Sequence, residues 1–302
     1  MKKVLAVYFS QSGQLKTIVQ NFMLPFSEAG VDIDMVSIEP GTPFPFPWSG
    51  KAFFDAMPES VLGIPAKINN PVFRHDRYDL VILAYQPWFL SPSIPVTSLL
   101  HYEPFTRLLK NTSVITIAGA RNMWLTAQEK LKVLLKKAEA QLIGNLVMTD
   151  RNPNLISAIT IQYWMFTGRK ERMWGIFPKP GVSEKDINLA TRYGAMALES
   201  FKNNSLNDLQ QAWVQNGAAV VKPILMFVES RASVLFALWA RLILRKKNRS
   251  LWITVFKYYL IIALFVLSPL VILIYLLLIQ PFTQRQIKNR MEYFQSLQYA
   301  QQ

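Results

Sequence analysis

Cysteine is absent from this chain of 302 residues, and histidine occurs only twice. The lack of cysteine excludes disulfide bonds, thiolate catalysis, cysteine-ligated zinc and iron–sulfur clusters. Two histidines are too few for a histidine-rich metal site. Acidic residues are also scarce, with 19 Asp and Glu against 33 Lys and Arg, which gives a formal net charge of +14.

The excess of positive charge is concentrated near the C-terminal end. Residues 1–215 carry 22 basic and 17 acidic side chains, whereas residues 216–302 carry 11 basic and two acidic ones. Six of the basic residues lie just before a long apolar run: Arg241, Arg245, Lys246, Lys247, Arg249 and Lys257. Anionic lipid headgroups attract cations at such a position. We therefore expect membrane lipid, and no nucleic acid, as the partner of this charge.

Residues 258–279 form a run of 22 residues without a charge. As a helix this run would be about 33 Å long, enough for a hydrocarbon core of about 30 Å. Trp252, Tyr258 and Tyr259 at its start are typical of an interfacial aromatic belt. Pro269 near its middle predicts either a kinked span or a re-entrant hairpin. Six basic residues precede the run and three follow it, which predicts the inner (cytoplasmic) membrane with the N-terminal part facing the cytoplasm.

The first two thirds of the chain alternate between strand and helix patterns. Strands are predicted at residues 4–9, which form a continuous apolar run, and at 31–38, 79–85, 113–118 and 142–148. Helices are predicted at 17–28, 126–140 and 183–201. This alternation predicts an α/β fold with a doubly wound five-stranded parallel sheet. Insertions at 40–76, which is rich in proline and expected to be irregular, and at 150–181 interrupt the pattern.

These observations predict four regions along the chain. Residues 1–205 form the α/β domain, and residues 206–250 form an amphipathic helical linker. Residues 251–280 form a transmembrane or membrane-embedded helix, and residues 281–302 form a polar tail.

Three loops follow predicted strands at the sheet edge where open α/β folds bind ligands. The first loop offers hydroxyls, one glycine and a helix N-terminus to a phosphate. It lacks the Gly-Lys-Ser/Thr of a P-loop and the three glycines of a dinucleotide fingerprint. The other two offer stacking surfaces and an approachable backbone to a flat aromatic cofactor. The candidate cofactor-binding residues are Ser10, Gln11, Ser12, Gly13, Gln14 and Leu15 in the first loop, Pro87, Trp88 and Phe89 in the second, and Gly119, Ala120, Arg121, Asn122 and Trp124 in the third.

Because of these loops, residues 1–205 resemble the flavodoxin-like family, which includes flavin-dependent NAD(P)H–quinone reductases. The family's first loop has the form Thr/Ser-x-Thr/Ser-Gly-x-Thr, which Ser10, Ser12 and Gly13 match, whereas Gln14 and Leu15 depart from it. The resemblance implies FMN, with its phosphate on the first loop. It also implies that residues 86–92 and 119–124 hold the isoalloxazine ring.

Residues 2–15, the chain length and the apolar C-terminal region further resemble a bacterial subfamily, the dialkylresorcinol condensing enzymes of aryl-polyene and flexirubin-type pigment pathways. The resemblance implies a ketosynthase partner that joins two acyl-derived chains into a lipid-like dialkyl-cyclohexane-1,3-dione. This protein would then aromatise the dione to a resorcinol by removing two hydrogens. Arg121 and Asn122 are candidates for stabilising the enolate, and His101 and Tyr85 are candidate bases.

Two alternatives stay open. An NAD(P)H-dependent quinone reductase would oxidise nicotinamide with quinones, whereas the dione reaction needs no nicotinamide. A non-catalytic, membrane-anchored electron carrier or scaffold is the second alternative, and a scaffold would bind no flavin.

Overall fold

A computed structural model describes residues 2–299, and its centre is a five-stranded parallel sheet. The strands are β1 (Lys3–Tyr8), β2 (Asp32–Ser37), β3 (Leu80–Tyr85), β4 (Pro87–Trp88), β5 (Ser91–Pro92), β6 (Ser113–Ala120) and β7 (Gln141–Thr149). The sheet order is β2-β1-β3-β6-β7, and β4 and β5 form a separate antiparallel hairpin. This is the flavodoxin-like order, in which the direction of winding reverses beside β1. The predicted α/β class is confirmed, and the five predicted strands agree with the observed ones to within two residues at each end.

Helices cover both faces of the sheet. They are α1 (Gln14–Glu28), α2 (Gly50–Asp55), α3 (Met57–Leu62), α4 (Ile94–Leu99), α5 (Glu103–Leu109), α6 (Leu125–Lys137), α7 (Asn154–Thr167), α8 (Glu184–Lys202), α9 (Leu209–Gln215), α10 (Pro223–Arg245), α11 (Arg249–Phe282) and α12 (Gln284–Gln295). Side chains alternate along each strand. Leu5 and Val7 therefore pack with α4, α5 and α6, while Val4 and Ala6 pack with α1, α8 and α9.

One glycine permits the close contact between α1 and α8. A Cβ built on Gly194 would lie 2.0 Å from the backbone oxygen of Phe22. No side chain fits at this distance, so the two helices approach each other backbone to backbone. This contact fixes α1, whose N-terminus adjoins the first loop.

The proline-rich insertion at 40–76 is more regular than predicted, because it contains α2 and α3. Met57 and Val61 of α3 are buried against Ala240 of α10 and Phe256 of α11. The insertion therefore supports the C-terminal helices.

Helices α10 and α11 form an antiparallel pair. Phe227 near the start of α10 stacks on Tyr275 near the end of α11, with ring centroids 4.0 Å apart. Trp239 near the end of α10 lies 5.7 Å from Phe256 near the start of α11. Both helices are long and apolar enough to cross a membrane. Helix α11 continues through Pro269 without reversing, and a π-helical turn at Ala263–Leu267 directly precedes the Ser268–Ile274 segment.

After α11 the chain returns to the α/β unit. Ile287, Met291 and Phe294 of α12 pack against the core cluster that α6 shares with the sheet. The Tyr293 hydroxyl donates to Glu129 Oε2 on α6 over 2.5 Å. The region predicted as a polar tail thus contains a docked helix, and residues 300–302 lie outside the described chain.

Candidate cofactor site

A cavity of about 900 Å³ lies at the carboxyl ends of β1, β3 and β6. Its position follows from the fold, because the loops after these strands meet where the strand order reverses. The predicted residues that line it are Gln11, Ser12, Gln14, Leu15, Pro87, Trp88, Phe89, Gly119, Ala120 and Arg121. Residues from all three predicted loops therefore meet at this cavity.

The first loop turns at Gly13 into α1. Gly13 has φ of 83°, a left-handed conformation that favours glycine, and its carbonyl accepts from the Thr17 amide. Ser10 Oγ accepts from the Lys16 amide over 3.1 Å, so this hydroxyl caps the helix. The first amides of a helix have no intrahelical partner. Those of Gln14 and Leu15 are thus available to an anion beside Ser12.

The Gln14 side chain has a structural contact that the sequence did not predict. Its Nε2 donates to the Val182 carbonyl, and its Oε1 accepts from the Val182 amide, each over 3.0 Å. Gln14 therefore fastens the first loop to the segment before α8, and its amide group is not free to bind a phosphate.

The second loop is the β4–β5 hairpin. Phe89 and Leu90 at its tip have φ of 47° and 61°, which costs about 1–2 kcal/mol for each L-residue. Trp88 packs edge-on against Trp48, with ring centroids 5.2 Å apart, and Phe89 lies 4.7 Å from Phe53. Trp48 and Phe53 of the proline-rich insertion thus hold a strained hairpin against the cavity.

The third loop brings a cation to the cavity. Arg121 Nη1 donates to the Asn154 carbonyl over 3.0 Å and to Asn154 Oδ1 over 3.1 Å. Burial lowers the pKa of Arg121 to about 10, against the opposing influence of Asp150 and Glu229. The guanidinium is still charged at neutral pH. No ion pair within residues 2–299 involves it, so its charge is available to an anionic group in the cavity.

Six predicted site residues do not line the cavity. One of them, Gly13, acts only through the backbone turn. Tyr85 is fully buried, and its hydroxyl donates to Gln128 Oε1 over 2.7 Å. His101 follows α4 instead of lying within a helix, and its Nδ1 lies 2.8 Å from the Thr97 carbonyl. Neither side chain therefore reaches the cavity as a base. The others outside the lining are Ser10, which caps α1, Asn122, whose Nδ2 donates to Asn154 Oδ1 over 2.9 Å, and Trp124, which is buried in the core.

The cavity contains buried polar atoms that the protein does not satisfy. Among the described residues, Gln86 Nε2 and Gln11 Oε1 are buried without a hydrogen-bond partner, and both side chains line the cavity. Leaving such groups unpaired costs about 1–3 kcal/mol each. One is a donor and the other an acceptor, so together they suit a ligand with both kinds of group, as a flavin ring has.

Besides the loops, α7 and the insertion at 40–76, helices α10 and α11 form a further wall of the cavity, which the sequence interpretation did not foresee. Phe227, Ala232 and Phe236 of α10 and Leu260 and Leu264 of α11 line it, and most of this wall is apolar. The signal that could have found it is Arg231, a charge in the middle of a largely apolar helix, which also lines the cavity. The predicted linker and anchor thus contribute to the site.

Ionisable groups are few in the lining. Within the described chain they are Arg121, Arg231, Lys257 and Tyr259, with no carboxylate and no histidine. The cavity therefore suits a reaction in which negative charge develops on the ligand, and its lining offers no carboxylate or imidazole to act as a base.

The α/β unit is similar to solved flavoproteins. A Lactobacillus acidophilus flavoprotein in complex with FMN is 17% identical, with 49% of this chain and 93% of that chain covered and a TM-score of 0.40. A flavodoxin from the domain Archaea is 10% identical, with 66% and 99% covered and a TM-score of 0.37. A Fusobacterium nucleatum flavodoxin bound to flavin mononucleotide is 10% identical, with 68% and 99% covered and a TM-score of 0.36.

No protein-family model and no curated protein matches the chain. The identities and TM-scores above are low, so they establish neither a family nor a function. The flavodoxin-like fold rests on the strand order itself. The dialkylresorcinol resemblance stays a prediction.

Proposed function

We propose that this chain is an FMN-dependent oxidoreductase that acts at a membrane on an apolar cyclic 1,3-dione. The observation that carries the proposal is the cavity, in which three loops of a flavodoxin-like sheet face an apolar wall made by α10 and α11. The three loops would bind a flavin, and the apolar wall would contact the alkyl chains of the substrate.

The residues around the cavity fit FMN. The amides at the start of α1 and the Ser12 hydroxyl would hold the phosphate. The ring would lie between the β4–β5 hairpin and the third loop, where Gln11 and Gln86 offer an unpaired acceptor and donor. When bound, FMN supplies a hydride acceptor, which none of the twenty side chains provides.

The substrate class follows from the rest of the lining. Conversion of a dialkyl-cyclohexane-1,3-dione to a resorcinol removes one hydride and one proton, after which tautomerisation turns both carbonyl oxygens into phenol oxygens. A 1,3-dione is acidic by itself, so the reaction does not demand a strong base. Arg121 would stabilise the enolate charge, and the apolar wall would receive the alkyl chains.

The same proposal assigns the protein a place at the cytoplasmic face of the inner membrane. A dione with two alkyl chains partitions into lipid, and α10 and α11 provide an apolar region beside the cavity. The reaction that supplies the dione joins two acyl-derived chains, which is ketosynthase chemistry. A ketosynthase is therefore the proposed partner.

The absorption spectrum of detergent-purified protein tests the proposal, with the supernatant after heat release compared with FMN and FAD standards. We expect near-stoichiometric FMN and, on adding a dialkyl-cyclohexane-1,3-dione, bleaching of the flavin absorbance with formation of the resorcinol. FMN without dione oxidation, but with nicotinamide oxidation by quinones, would replace the proposal with a quinone reductase. No flavin, and none taken up from added FMN, would leave a non-catalytic scaffold.

A further inference from the structure

Both ends of α11 are attached to the same α/β unit. At the start, Arg249 donates to Glu59 Oε1 over 2.5 Å and to Oε2 over 2.7 Å, and it also donates to the Asp55 carbonyl. These partners belong to the insertion that carries α2 and α3. The first turn of α11 is therefore fixed beside the cavity.

The chain after α11 is fixed to the same unit through α6 and α9. Lys132 Nζ on α6 donates to the Gln298 carbonyl over 2.7 Å, and Gln210 Nε2 on α9 donates to the Gln295 carbonyl over 2.7 Å. Lys132 is buried at 2% exposure, and its hydrogen bond to Gln298 is partly buried. The α12 segment is thus part of the folded unit.

These attachments conflict with a span across a bilayer. Helix α11 has 34 residues, which gives a length of about 51 Å against a hydrocarbon core of about 30 Å. A perpendicular helix would place Arg249 and α12 on opposite sides of the membrane, yet both contact one water-facing α/β unit. The helix therefore lies alongside this unit.

The outer face of α10 and α11 is apolar and uncovered. On α11, Leu270, Leu273 and Leu277 are 55%, 54% and 64% exposed, and Leu238 on α10 is 55% exposed. Water-soluble monomers rarely expose continuous apolar patches of this kind. Lipid acyl chains would cover this face without removing water from any polar side chain on it.

Cations border the apolar face at both ends of α11. Arg241, Arg245, Lys246 and Lys247 are exposed before its start, and Arg285, Lys288 and Arg290 are exposed after its end. In a spanning arrangement these two groups would face opposite leaflets. In a flat arrangement all of them meet the headgroups of one leaflet, where each contributes about 1 kcal/mol with anionic lipid.

We infer that α10 and α11 lie in the plane of an anionic leaflet, with their outer face in the acyl chains and their inner face forming the cavity wall. The inference rests on the membrane association in the proposed function. Its occupant is a lipid surface, and α10 and α11 then separate the bilayer from the cavity by a layer one helix thick.

The absence of cysteine allows a direct test with full-length single-cysteine variants in sealed vesicles. Ser27→Cys on α1, Ser250→Cys at the start of α11 and Asn289→Cys on α12 replace exposed residues that lie outside the cavity lining. We expect a membrane-impermeant maleimide to label all three from the same side. Labelling of Asn289→Cys from the side opposite the other two would establish a span and overturn the inference.

A depth measurement provides the second readout. Leu270→Cys carrying a bimane label should be quenched by lipids spin-labelled near the headgroup more than by lipids spin-labelled near the chain end, because in-plane helices sit only about 5–10 Å into the interface. Stronger quenching by the deep label, or no quenching with dimer cross-linking through position 270, would overturn the inference. A flavin spectrum is recorded on the same variants, so a failed flavin assignment is distinguished from a failed topology.

Discussion

Arg121 is the residue whose substitution most directly tests the proposed chemistry. It is the only cation contributed to the cavity by the three loops at the sheet edge, and removing one preorganised donor to a developing oxyanion lowers kcat by about 10²–10³. We expect Arg121→Met to reduce kcat for dione oxidation by a factor in this range, and Arg121→Lys to recover part of the loss. Steady-state kinetics measure both effects.

The matched control for Arg121 is Arg172→Met, which removes an exposed cation outside the cavity lining. Its kcat should equal that of the wild-type protein. Unchanged kcat in Arg121→Met, with FMN still bound, would show that this cation does not stabilise the reacting ligand.

Lys130 makes stability depend on pH. Its Nζ donates to the Val61 carbonyl and to Ser91 Oγ, each over 2.7 Å, and burial lowers its pKa to about 8. Between this value and the ordinary lysine pKa near 10.5, the unfolded chain holds a proton that the folded protein has released. The free energy of unfolding therefore rises with pH across this window. We expect the Tm of the wild-type protein, relative to Lys130→Met, to increase from pH 7.5 to pH 10.

The comparison for Lys130 uses Lys137→Met, an exposed substitution on the same helix. Its Tm relative to wild type should be the same at both pH values. Thermal unfolding of the three full-length proteins in one detergent, at the two pH values, supplies all six Tm values. A pH-independent difference for Lys130→Met would contradict the assignment.

Residue roles were the part of the site that the sequence predicted least well. Gln14, Tyr85 and His101 were chosen for their chemistry and their place in the sequence. Their hydrogen bonds to Val182, Gln128 and Thr97 satisfy them within the protein. Two of these partners lie more than 40 residues away, so periodicity and local motifs could not reveal them.

At the scale of elements, the contact between α1 and α8 is the most sensitive to substitution. Gly194→Ala would place a Cβ 2.0 Å from the Phe22 carbonyl oxygen, and overpacking of this kind costs about 1–3 kcal/mol. We expect the denaturant midpoint to fall accordingly. Gly50→Ala is the control, because nothing lies within 4 Å of its Cβ position, and its midpoint should be unchanged or slightly higher. Equal midpoints for the two variants would show that the helices can separate without loss.

The elements themselves were largely predictable because their signals are local. Continuous apolar runs such as residues 79–85 predict strands covered on both faces, and Ser183 with Asp186 predicts the start of α8, where the Asp186 amide donates to Ser183 Oγ. Helix α12 was missed because it has only three apolar residues, Ile287, Met291 and Phe294. Their role is visible only in the structure, where they pack against the core. Tertiary packing determined that element.

At the scale of the whole molecule, membrane affinity should depend on the cations before α11. We expect replacement of Arg245, Lys246 and Lys247 by glutamine to weaken binding to vesicles rich in phosphatidylglycerol by roughly 100-fold, at about 1 kcal/mol for each charge. Binding to neutral phosphatidylcholine vesicles should be unaffected, because the apolar face is unchanged. Cosedimentation at low and high salt measures both. Equal losses on the two lipids would indicate a folding defect.

The general architecture followed from the sequence, but the relation between its parts did not. Charge counting and a run of 22 uncharged residues correctly indicated two groups of cations around an apolar helix. The same counting predicted a cytoplasmic N-terminal part, and Pro269 left a kinked span and a re-entrant hairpin both open. Only the contacts of Arg249 with Glu59 and of Gln298 with Lys132 show that both ends of the helix are attached to the same α/β unit.

The attachment of α11 at both ends has a consequence for the kind of membrane that the proposed lipid-facing surface would bind. A helix that crosses a bilayer is sensitive to hydrophobic mismatch and is sorted by bilayer thickness. A helix fixed flat against its own domain is not sensitive to bilayer thickness. It inserts between the headgroups and therefore has to separate neighbouring lipids. Its binding is then sensitive to curvature and to packing defects between lipids. Small, highly curved vesicles should therefore recruit this protein better than large flat ones of the same composition.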